Sequence, residues 1–475
     1  MKIAVCFKVV PRWSRVLPGD WEHFTPDSDI AYAGAEFNCF DESALALALR
    51  LKEGRQRADL PVFCAAVTAG RRPPAPFSQT LYAQGFDEVA VIEREGAEFA
   101  PGDVASLLAG YIEEEGFDLV LTGSVAGMAD SGTVPFWLAN FLNRPVFTEA
   151  QDLEYSAEGL AVTRQNEAGL WRYLVRPPVV LTIGNSFALL QAPTLKARLA
   201  AGEREPRLLT VVAETPPAAA TTLGFGRASA ERSCRMMAEK EAKELAQALL
   251  SENLLQTAEE LSGAASPKNG FVFPEKTVSY LPLLREGLLG GGAERQLAED
   301  WLSRRPALAV LPQTPEGTLL AAGLAARTGA ALFTEAALLG WEQGELLAQK
   351  RACAANVHWR VSLPLPAVVT LPQLPEKPPR ITLSAEGETP PWLVEAVPLA
   401  PPSQDELQNR HLIIVCGLGV GRAACERARL LAKKLGAGFG LTRPAALEGW
   451  GRVDEIVGGS GVTITSEVSL VLGAS

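Results

Sequence analysis

Short apolar runs alternate with longer stretches of helical periodicity along the first two hundred residues. The apolar runs have the length and the β-branched content of buried strands, and the stretches between them have the spacing of amphipathic helices. Such alternation predicts a parallel sheet with helices on both faces. The predicted strands are Lys2–Val9, Pro61–Thr68, Glu88–Glu93 and Leu119–Thr122, and the predicted helices are Glu42–Lys52, one that ends at Leu81–Gly85, Val104–Glu115 and Pro135–Leu142.

Parallel sheets bind ligands beyond the carboxyl ends of their strands, so the residues that follow the predicted strands are candidates for a site. Phe7 follows the first strand, which begins the β-rich stretch Lys2–Val9, and Asn38, Phe40 and Asp41 precede the first helix. We expect Asp41 to be the N-cap of that helix and Asn38 to lie in the preceding loop.

The segment from Thr122 to Pro135 is the richest candidate, because a loop of small residues there joins a buried strand to an apolar helix. Small residues let backbone amides approach an anion, and a helix N-terminus adds a favourable partial charge. One hypothesis is therefore a phosphate site, and the alternative is that Asp130 only caps the helix. The candidate residues are Gly123, Asp130, Ser131, Gly132, Thr133 and Val134.

A linker and a charged helix are predicted between the two parts of the chain that have strand–helix alternation. The linker begins near Thr215, and the helix spans about residues 230–255 with recurring leucines. The helix either wraps around a neighbouring domain or serves as a solvated spacer.

Strand and helix patterns return after residue 306. Ala307–Pro312 predicts a strand, and Leu319–Arg327 predicts a helix that ends at a glycine. A hairpin-like stretch surrounds Gly344, and a further strand follows at residues 367–370. After a Pro-rich stretch, the strand from His411 leads into a Gly-Leu-Gly-Val-Gly turn, which by itself is weak evidence for nucleotide binding.

Composition narrows the classes of function. The 475 residues predict two to four domains, and 47% apolar with 21% charged residues is typical of soluble globular domains. A net charge of −11 argues against a nucleic-acid partner, and no apolar run is long enough for a membrane span. The N-terminus lacks the pattern of a signal peptide, so we expect a cytoplasmic protein. Seven cysteines without a CxxC pair and three dispersed histidines disfavour a disulfide framework, a metal site or histidine-based catalysis.

Three motifs of the first part are found together in one known family: Asn38-x-Phe40-x-Glu42, Asp118-Leu-Val-Leu-Thr-Gly123 followed seven residues later by Asp130, and Pro193-Thr-Leu-Lys196. Through them, residues 1–200 resemble the beta subunit of an electron transfer flavoprotein. The resemblance implies an adenine nucleotide, either AMP or a second FAD, surrounded by Phe7, Asn38, Phe40, Asp41, Gly123 and Asp130–Val134. It also implies that Leu195 docks partner proteins. The chain has Gly132 where many members carry Asn, and Asp41 where many carry a small or thiol side chain.

Motifs of the later part are Leu311-Pro-x-Thr-Pro-x-Gly317, Thr334-Glu335, Thr442-Arg443-Pro444 and Val457-Gly-Gly-Ser-Gly461. These resemble the alpha subunit of the same heterodimer, first its N-terminal domain and then its FAD-binding domain. The resemblance implies that Arg443 lies against the flavin ring and that Thr442 hydrogen-bonds near flavin N5. The implied FAD contacts are Gly417, Gly419, Thr442, Arg443, Gly458, Ser460 and Gly461.

We therefore predict an α/β protein with doubly wound parallel-sheet nucleotide-binding domains, adenine nucleotide alpha hydrolase-like, plus a partial Rossmann-like FAD domain. The predicted boundaries are 1–205 for the beta-like domain, 206–270 for a linker and helical arm, 271–375 for a reduced alpha N-terminal-like domain, 376–408 for a Pro-rich linker and 409–475 for the partial FAD domain.

The implied function is electron transfer through FAD between an acyl-CoA or other dehydrogenase and a downstream acceptor, without a catalytic residue. The alternative is a non-redox adenine-nucleotide-binding or scaffold protein that has lost FAD; a nucleotide hydrolase is disfavoured because there is no P-loop. The alpha-like resemblance stops before the family's segment that closes over the ribityl and pyrophosphate groups. We therefore expect weak or absent FAD binding by this chain alone. Either a separate chain or a second copy, through dimerisation, could complete the FAD domain.

Overall fold

The structure is a computed structural model, in which the chain divides into two compact units. The first unit consists of residues 1–228 and 271–401, and the second unit consists of residues 229–270 and 402–475. The residues that the structure describes are 1–94, 101–125, 131–166, 169–184, 186, 188–209, 220–228, 273–274, 276–283, 291–342, 345–353, 356–375, 378–384, 392–400, 407, 410–458, 466 and 468–473.

The described residues form eight α-helices of seven or more residues and twenty-five strands. The helices are α1 (Cys39–Arg57), α2 (Ala75–Gln84), α3 (Pro101–Glu115), α4 (Val134–Phe141), α5 (Leu195–Ala201), α6 (Gly291–Arg304), α7 (Pro315–Thr328) and α8 (Arg422–Leu435). The strands are β1 (Lys2–Cys6), β2 (Val9–Pro11), β3 (Ala35–Phe37), β4 (Phe63–Gly70), β5 (Glu88–Glu93), β6 (Leu119–Gly123), β7 (Val146–Ala150), β8 (Asp152–Ser156), β9 (Gly159–Asn166), β10 (Gly169–Val175), β11 (Val179–Ile183), β12 (Arg207–Leu209), β13 (Thr221–Arg227), β14 (Thr277–Leu283), β15 (Leu308–Pro312), β16 (Ala331–Phe333), β17 (Leu338–Glu342), β18 (Glu345–Ala352), β19 (Val357–Leu363), β20 (Ala367–Leu371), β21 (Arg380–Ser384), β22 (Leu393–Ala400), β23 (Leu412–Cys416), β24 (Gly438–Leu441) and β25 (Val468–Leu472).

A seven-stranded parallel sheet forms the centre of the first domain, which we define as residues 1–209. Its strand order is β12-β5-β4-β1-β6-β11-β7, and in the register of the central strands Ala4 lies between Ala65 and Val120. Helix α1 packs on one face, and helices α3 and α4 pack on the other. The chain adds strands on one side of β1 before it returns to add β6 on the other, so the strand order reverses between β1 and β6. Ligands of doubly wound sheets bind at such a reversal.

A second parallel sheet, with strand order β16-β20-β15-β14-β21, forms the centre of the second domain, residues 276–384. The two domains share a continuous apolar core, in which Leu138 of α4 belongs to the same cluster as Leu320 and Leu324 of α7. Phe136 of α4 also packs with Leu319 and Ala322 of α7. The two domains are therefore joined through helices α4 and α7.

Each domain also receives a strand from beyond its own sequence. Strand β13 pairs with β19 of the second domain, and β22 pairs with β10 of the first, in two four-stranded antiparallel sheets. The stretches 206–270 and 376–408, expected to be linkers, thus both contain strands. Pro398 is tolerated in β22 because this strand lies at the edge of its sheet. The helix expected at 230–255 lies outside the described residues.

The start of α1 differs from the sequence-based expectation. The helix begins at Cys39 with Asn38 in the N-cap position, and the Glu42 N–H donates to the Asn38 carbonyl at 2.8 Å. The prediction that Asp41 is the N-cap is wrong, because its side chain accepts hydrogen bonds from the ends of two strands instead. By contrast, the strand Glu88–Glu93 has the predicted bounds, and the hairpin predicted around Gly344 is the β17–β18 pair.

In the second unit, the described residues form a three-stranded parallel sheet with strand order β24-β23-β25. Helix α8 follows β23 and packs on it through Cys425, Ala428 and Ala432. This strand, turn and helix order agrees with the sequence-based expectation for residues 411–435.

Candidate functional site

A cavity of about 710 Å³ lies where the strand order of the first domain reverses. The segments after β1, β4 and β6 and the start of α4 line it, and residues 26–31 border it as well. The volume is in the range of small-molecule and cofactor sites. The predicted site residues that line it are Phe7, Asp41, Gly123, Ser131, Gly132, Thr133 and Val134.

The start of α4 has the geometry of an anion subsite. Thr133 is the N-cap residue, and Gly132 before it has a φ of +60°. Glycine adopts this left-handed conformation without strain, and asparagine is one of the few other residues that does so readily. Gly132 stands where many members of the resembled family carry asparagine, and either residue can adopt this backbone conformation. Asp130, predicted as a cap or ligand contact, lies outside the described residues.

Two buried hydroxyl groups at the cavity have no hydrogen-bond partner among the described residues. They are Oγ1 of Thr122, at the end of β6, and Oγ1 of Thr133, at the start of α4. Buried polar groups in folded proteins are nearly always paired, because an unpaired one costs roughly 1–3 kcal/mol. The two hydroxyls therefore fit a polar ligand group, such as a phosphate or a sugar hydroxyl, between β6 and α4.

Asp41 is the buried carboxyl group of the cavity floor. Its Oδ2 accepts the backbone N–H of Lys8 at 2.9 Å, and its Oδ1 accepts the backbone N–H of Gly123 at 2.9 Å. Burial raises the pKa of Asp41 to about 7, although hydrogen bonds from Asn38, Gly123 and Lys8 oppose the shift. Near neutral pH, the carboxyl group thus carries only part of a negative charge, which weakens its repulsion of an anionic ligand.

Asn38 and Phe40 do not line the cavity, although the resemblance implied that they surround the nucleotide. The Asn38 side-chain amide donates to the Val125 carbonyl at 2.8 Å and so holds the loop after β6. A Cβ on Gly123 would lie 2.3 Å from Asp41 Oδ1 and 2.8 Å from Phe40 Cβ. Glycine is required there because α1 approaches the end of β6 so closely.

Charged residues outside the predicted site residues also line the cavity. They are Lys8 after β1, Arg71 and Arg72 after β4, and Asp27 and Asp29 in the segment between β2 and β3. The position of the two arginines directly after a predicted strand could have identified them. The aspartates had no such signal, because a long irregular segment places them at the cavity.

In the second unit, backbone amides of the glycine turn after β23 are hydrogen-bonded to carbonyls of the protein itself. The Gly417 N–H donates to the Leu472 carbonyl at 2.8 Å, and the Gly419 N–H donates to the Gly473 carbonyl at 2.9 Å. A Cβ on Gly419 would lie 2.8 Å from the Gly473 carbonyl oxygen. These glycines allow the turn to pack against β25, and their amides are not available to a phosphate in this arrangement.

Thr442 and Arg443 lie at the carboxyl edge of the same sheet. Thr442 follows β24, and its N–H donates to the Cys416 carbonyl at the end of β23 at 3.0 Å. Arg443 is only 9% exposed. A threonine and a mostly buried arginine at this edge fit the ring end of a flavin. Gly458 has a φ of +102°, and Ser460 and Gly461 lie outside the described residues.

Comparison with known proteins agrees with this geometry. The model of the electron transfer flavoprotein domain matches residues 30–213, and that of the electron transfer flavoprotein FAD-binding domain matches residues 406–475. The chain belongs to the electron transfer flavoprotein family. An Escherichia coli (strain K12) protein named "Putative electron transfer flavoprotein subunit YgcR" is 27% identical over 261 residues, which is 54% of this chain and 98% of that protein.

The order of the two matched segments is that of a beta–alpha fusion of electron transfer flavoprotein subunits. Within the described part of the chain, no helix is both long and apolar enough to cross a membrane. The described residues also contain no group of three or more His, Cys, Asp or Glu side chains that could hold a metal ion.

The docking candidate Leu195 is the first residue of α5, whereas the sequence indicated a loop. Thr194 Oγ1 caps this helix by accepting the Ala197 N–H at 3.2 Å. Leu195 is 73% exposed, and Leu199 one turn later is 70% exposed. The helix therefore presents two neighbouring leucines to solvent.

We predict that replacing Asp41 by Ser changes the pH dependence of stability. The folded state keeps the Asp41 proton up to a pH of about 7, whereas an unfolded chain loses it near pH 4. The folded state thus binds more protons between these values, and the Asp41 contribution to stability falls there by up to about 1.4 kcal/mol per pH unit. From pH 5 to 8, the unfolding free energy of Asp41→Ser should rise relative to that of the wild type, and urea unfolding measures both.

Asp118→Ser is the control, since exposed Asp118 also accepts a backbone N–H, that of Lys2 at 2.7 Å. It should lower stability without reproducing the pH-dependent difference. Parallel pH profiles for the wild type and Asp41→Ser would contradict the prediction.

Proposed function

We propose that this chain is an electron carrier that binds FAD in the second unit and passes electrons between a dehydrogenase and a downstream acceptor. The observation that carries the proposal is the buried position of Arg443 next to Thr442, within the segment that matches the FAD-binding domain of the family. Bound FAD would supply reversible electron uptake and release.

The residues of the chain would bind and tune the cofactor. Arg443 carries a positive charge on a mostly buried residue, so it would stabilise negative charge on an adjacent ring. The Thr442 hydroxyl would provide a hydrogen bond at the ring edge. The contacts proposed for Gly458, Ser460 and Gly461 would extend the site along the cofactor.

We further propose that the cavity of the first domain binds an adenine nucleotide, with its phosphate at Ser131–Val134. The unpartnered hydroxyls of Thr122 and Thr133 support this placement. The nucleotide would be AMP or the adenosine part of a second FAD.

A second candidate function is that of a non-redox adenine-nucleotide-binding protein. The observation in its favour is that the amides of Gly417 and Gly419 are already hydrogen-bonded to the carbonyls of Leu472 and Gly473 and cannot hold a cofactor phosphate. In that case the cavity of the first domain would bind its nucleotide, and the second unit would bind no flavin.

Flavin binding and its electrostatic tuning separate the two functions. FAD titrated into the protein should bind in the micromolar range, which flavin fluorescence measures. During anaerobic titration with dithionite, the bound flavin should bleach at a more positive midpoint potential than free FAD. Arg443→Leu should shift that potential to a more negative value, by roughly 30 mV for each 1.4 kcal/mol of lost stabilisation.

Arg422→Leu is the matched control, because Arg422 is an exposed arginine at the start of α8 in the same unit. It should leave the potential unchanged. Absence of FAD binding at 100-fold higher protein concentration, roughly 100 μM, would favour the second candidate function.

We propose that Leu195 docks the electron donor, because an exposed leucine at a helix start can fill an apolar pocket of a partner. Leu195→Ala should slow electron transfer from a reduced acyl-CoA dehydrogenase about tenfold, with FAD content unchanged. Stopped-flow kinetics with the FAD-loaded protein measures the rate.

Leu302→Ala provides the comparison, since Leu302 is 70% exposed on α6. It should not alter the rate. If Leu195→Ala transfers electrons as fast as the wild type, Leu195 does not dock the donor. Loss of FAD or of the fold in this variant would indicate a structural role instead.

A further inference from the structure

The two domains of the first unit contain the same four-residue sequence in the same structural position. Phe-Thr-Glu-Ala occurs at residues 147–150 and again at residues 333–336. The first copy lies in β7, which pairs with β11, and the second begins at the end of β16, which pairs with β20. The two copies therefore offer a natural internal comparison.

The backbone of the two copies is held in the same way. Glu149 has a φ of +56° and Glu335 a φ of +59°, which is the left-handed region. The N–H of each glutamate donates to a threonine Oγ1 on the neighbouring strand at 2.8 Å, that of Thr182 or that of Thr370. A conformation that costs energy for a non-glycine residue is thus fixed by a specific bond, and the preceding threonine is fixed with it.

The threonine of the second copy reaches into the first domain. Thr334 is 3% exposed, and its Oγ1 donates to the Ser131 carbonyl at 2.9 Å. Ser131 begins the segment that leads into α4 and lines the cavity. Thr148, at the equivalent position of the first copy, does not line this cavity.

The Thr334 bond has a mechanical consequence for the anion subsite. The peptide group that contains the Ser131 carbonyl also contains the Gly132 N–H, so fixing that carbonyl orients this amide as well. The left-handed conformation of Gly132 then sets the orientation of the next two amides, those of Thr133 and Val134. Phe136, in the first turn of α4, packs against Leu319 and Ala322 of α7. The second domain therefore also fixes the position of this turn.

We propose that Thr334 is a positioning residue for the nucleotide: a side chain of the second domain orients the amides that bind the nucleotide phosphate in the first. This inference rests on the proposed nucleotide site of the first domain. A flexible amide loses orientational freedom when it binds an anion, whereas a fixed amide does not, so preorganisation strengthens binding of the phosphate in particular.

The test is isothermal titration calorimetry of the full chain with AMP and with adenosine. Thr334→Val removes the hydroxyl at nearly constant volume and should weaken AMP binding about three- to tenfold, the range expected for one hydrogen bond. Affinity for adenosine, which lacks the phosphate, should change less than twofold. Thr334→Ser, which keeps the hydroxyl, should restore AMP affinity, and Thr148→Val should leave it unchanged.

The outcomes separate this inference from the nucleotide site itself. If the wild type binds neither AMP nor FAD in the first domain, the nucleotide site is wrong and the role of Thr334 fails with it. If the wild type binds AMP and Thr334→Val binds it equally well, only the positioning role fails. Equal weakening of AMP and adenosine binding by Thr334→Val, or equal weakening by Thr148→Val, would also overturn it, since either result indicates a structural effect.

A measurement on the wild type alone covers the case in which Thr334→Val does not fold. Addition of AMP should slow amide hydrogen exchange at residues 331–336, which do not line the cavity, through the bond to Ser131. Residues 146–150 should show no such protection. Protection of residues 131–134 without protection of 331–336 would contradict the proposal.

Discussion

The packing of α4 against the second domain is the constraint on which the rest of this structure depends. Helix α4 belongs to the first domain by sequence, yet Phe136 packs on α7 and Thr334 holds the carbonyl just before the helix. The cavity wall that would bind an anion is thus built by residues more than 180 positions apart. Separating the two domains would expose the shared apolar core and release this wall at the same time.

At the matching place of the second domain, the connection from strand to helix is much shorter. After β15 the chain turns directly into α7, and a Cβ on Gly317 would lie 2.0 Å from the Pro312 carbonyl oxygen. Thr314 Oγ1 accepts the Gly317 N–H at 3.0 Å and caps the helix from within. In the first domain, by contrast, the connection from β6 to α4 spans ten residues and leaves the Thr133 hydroxyl unpartnered among the described residues.

The exchange of strands between the domains makes them one compact unit. Strand β13 follows the first domain in sequence but extends a sheet of the second, and β22 follows the second domain but extends a sheet of the first. The aromatic cluster of Trp13, Trp21 and Phe24 packs in the same core as Trp359 of the second domain. Because residues 26–31 follow this cluster and border the cavity, one edge of the nucleotide site also depends on the second domain.

Sequence patterns predicted the parallel strands well because a buried strand is a continuous apolar run, as at Leu119–Gly123. They also predicted that Ser131–Val134 follow a strand and precede a helix, which is a local property. The N-cap prediction for Asp41 is wrong because the partners of its side chain, Lys8 and Gly123, lie 33 and 82 residues away in sequence. Local sequence patterns also do not predict Thr334 as a site residue, because its hydrogen bond to Ser131 spans 203 residues. The sequence does not distinguish the strands β13 and β22 from linkers, because an edge strand tolerates the Gly and Pro content of a linker.

The most direct test of this account is a crystal structure of the full chain with AMP bound. We predict that the phosphate lies against the amides of Gly132–Val134 and the Thr133 hydroxyl, while Asp41 keeps its bonds to the Lys8 and Gly123 amides. A phosphate that displaces Asp41 and binds at the Lys8 and Gly123 amides would contradict the account, and so would a nucleotide bound outside this cavity.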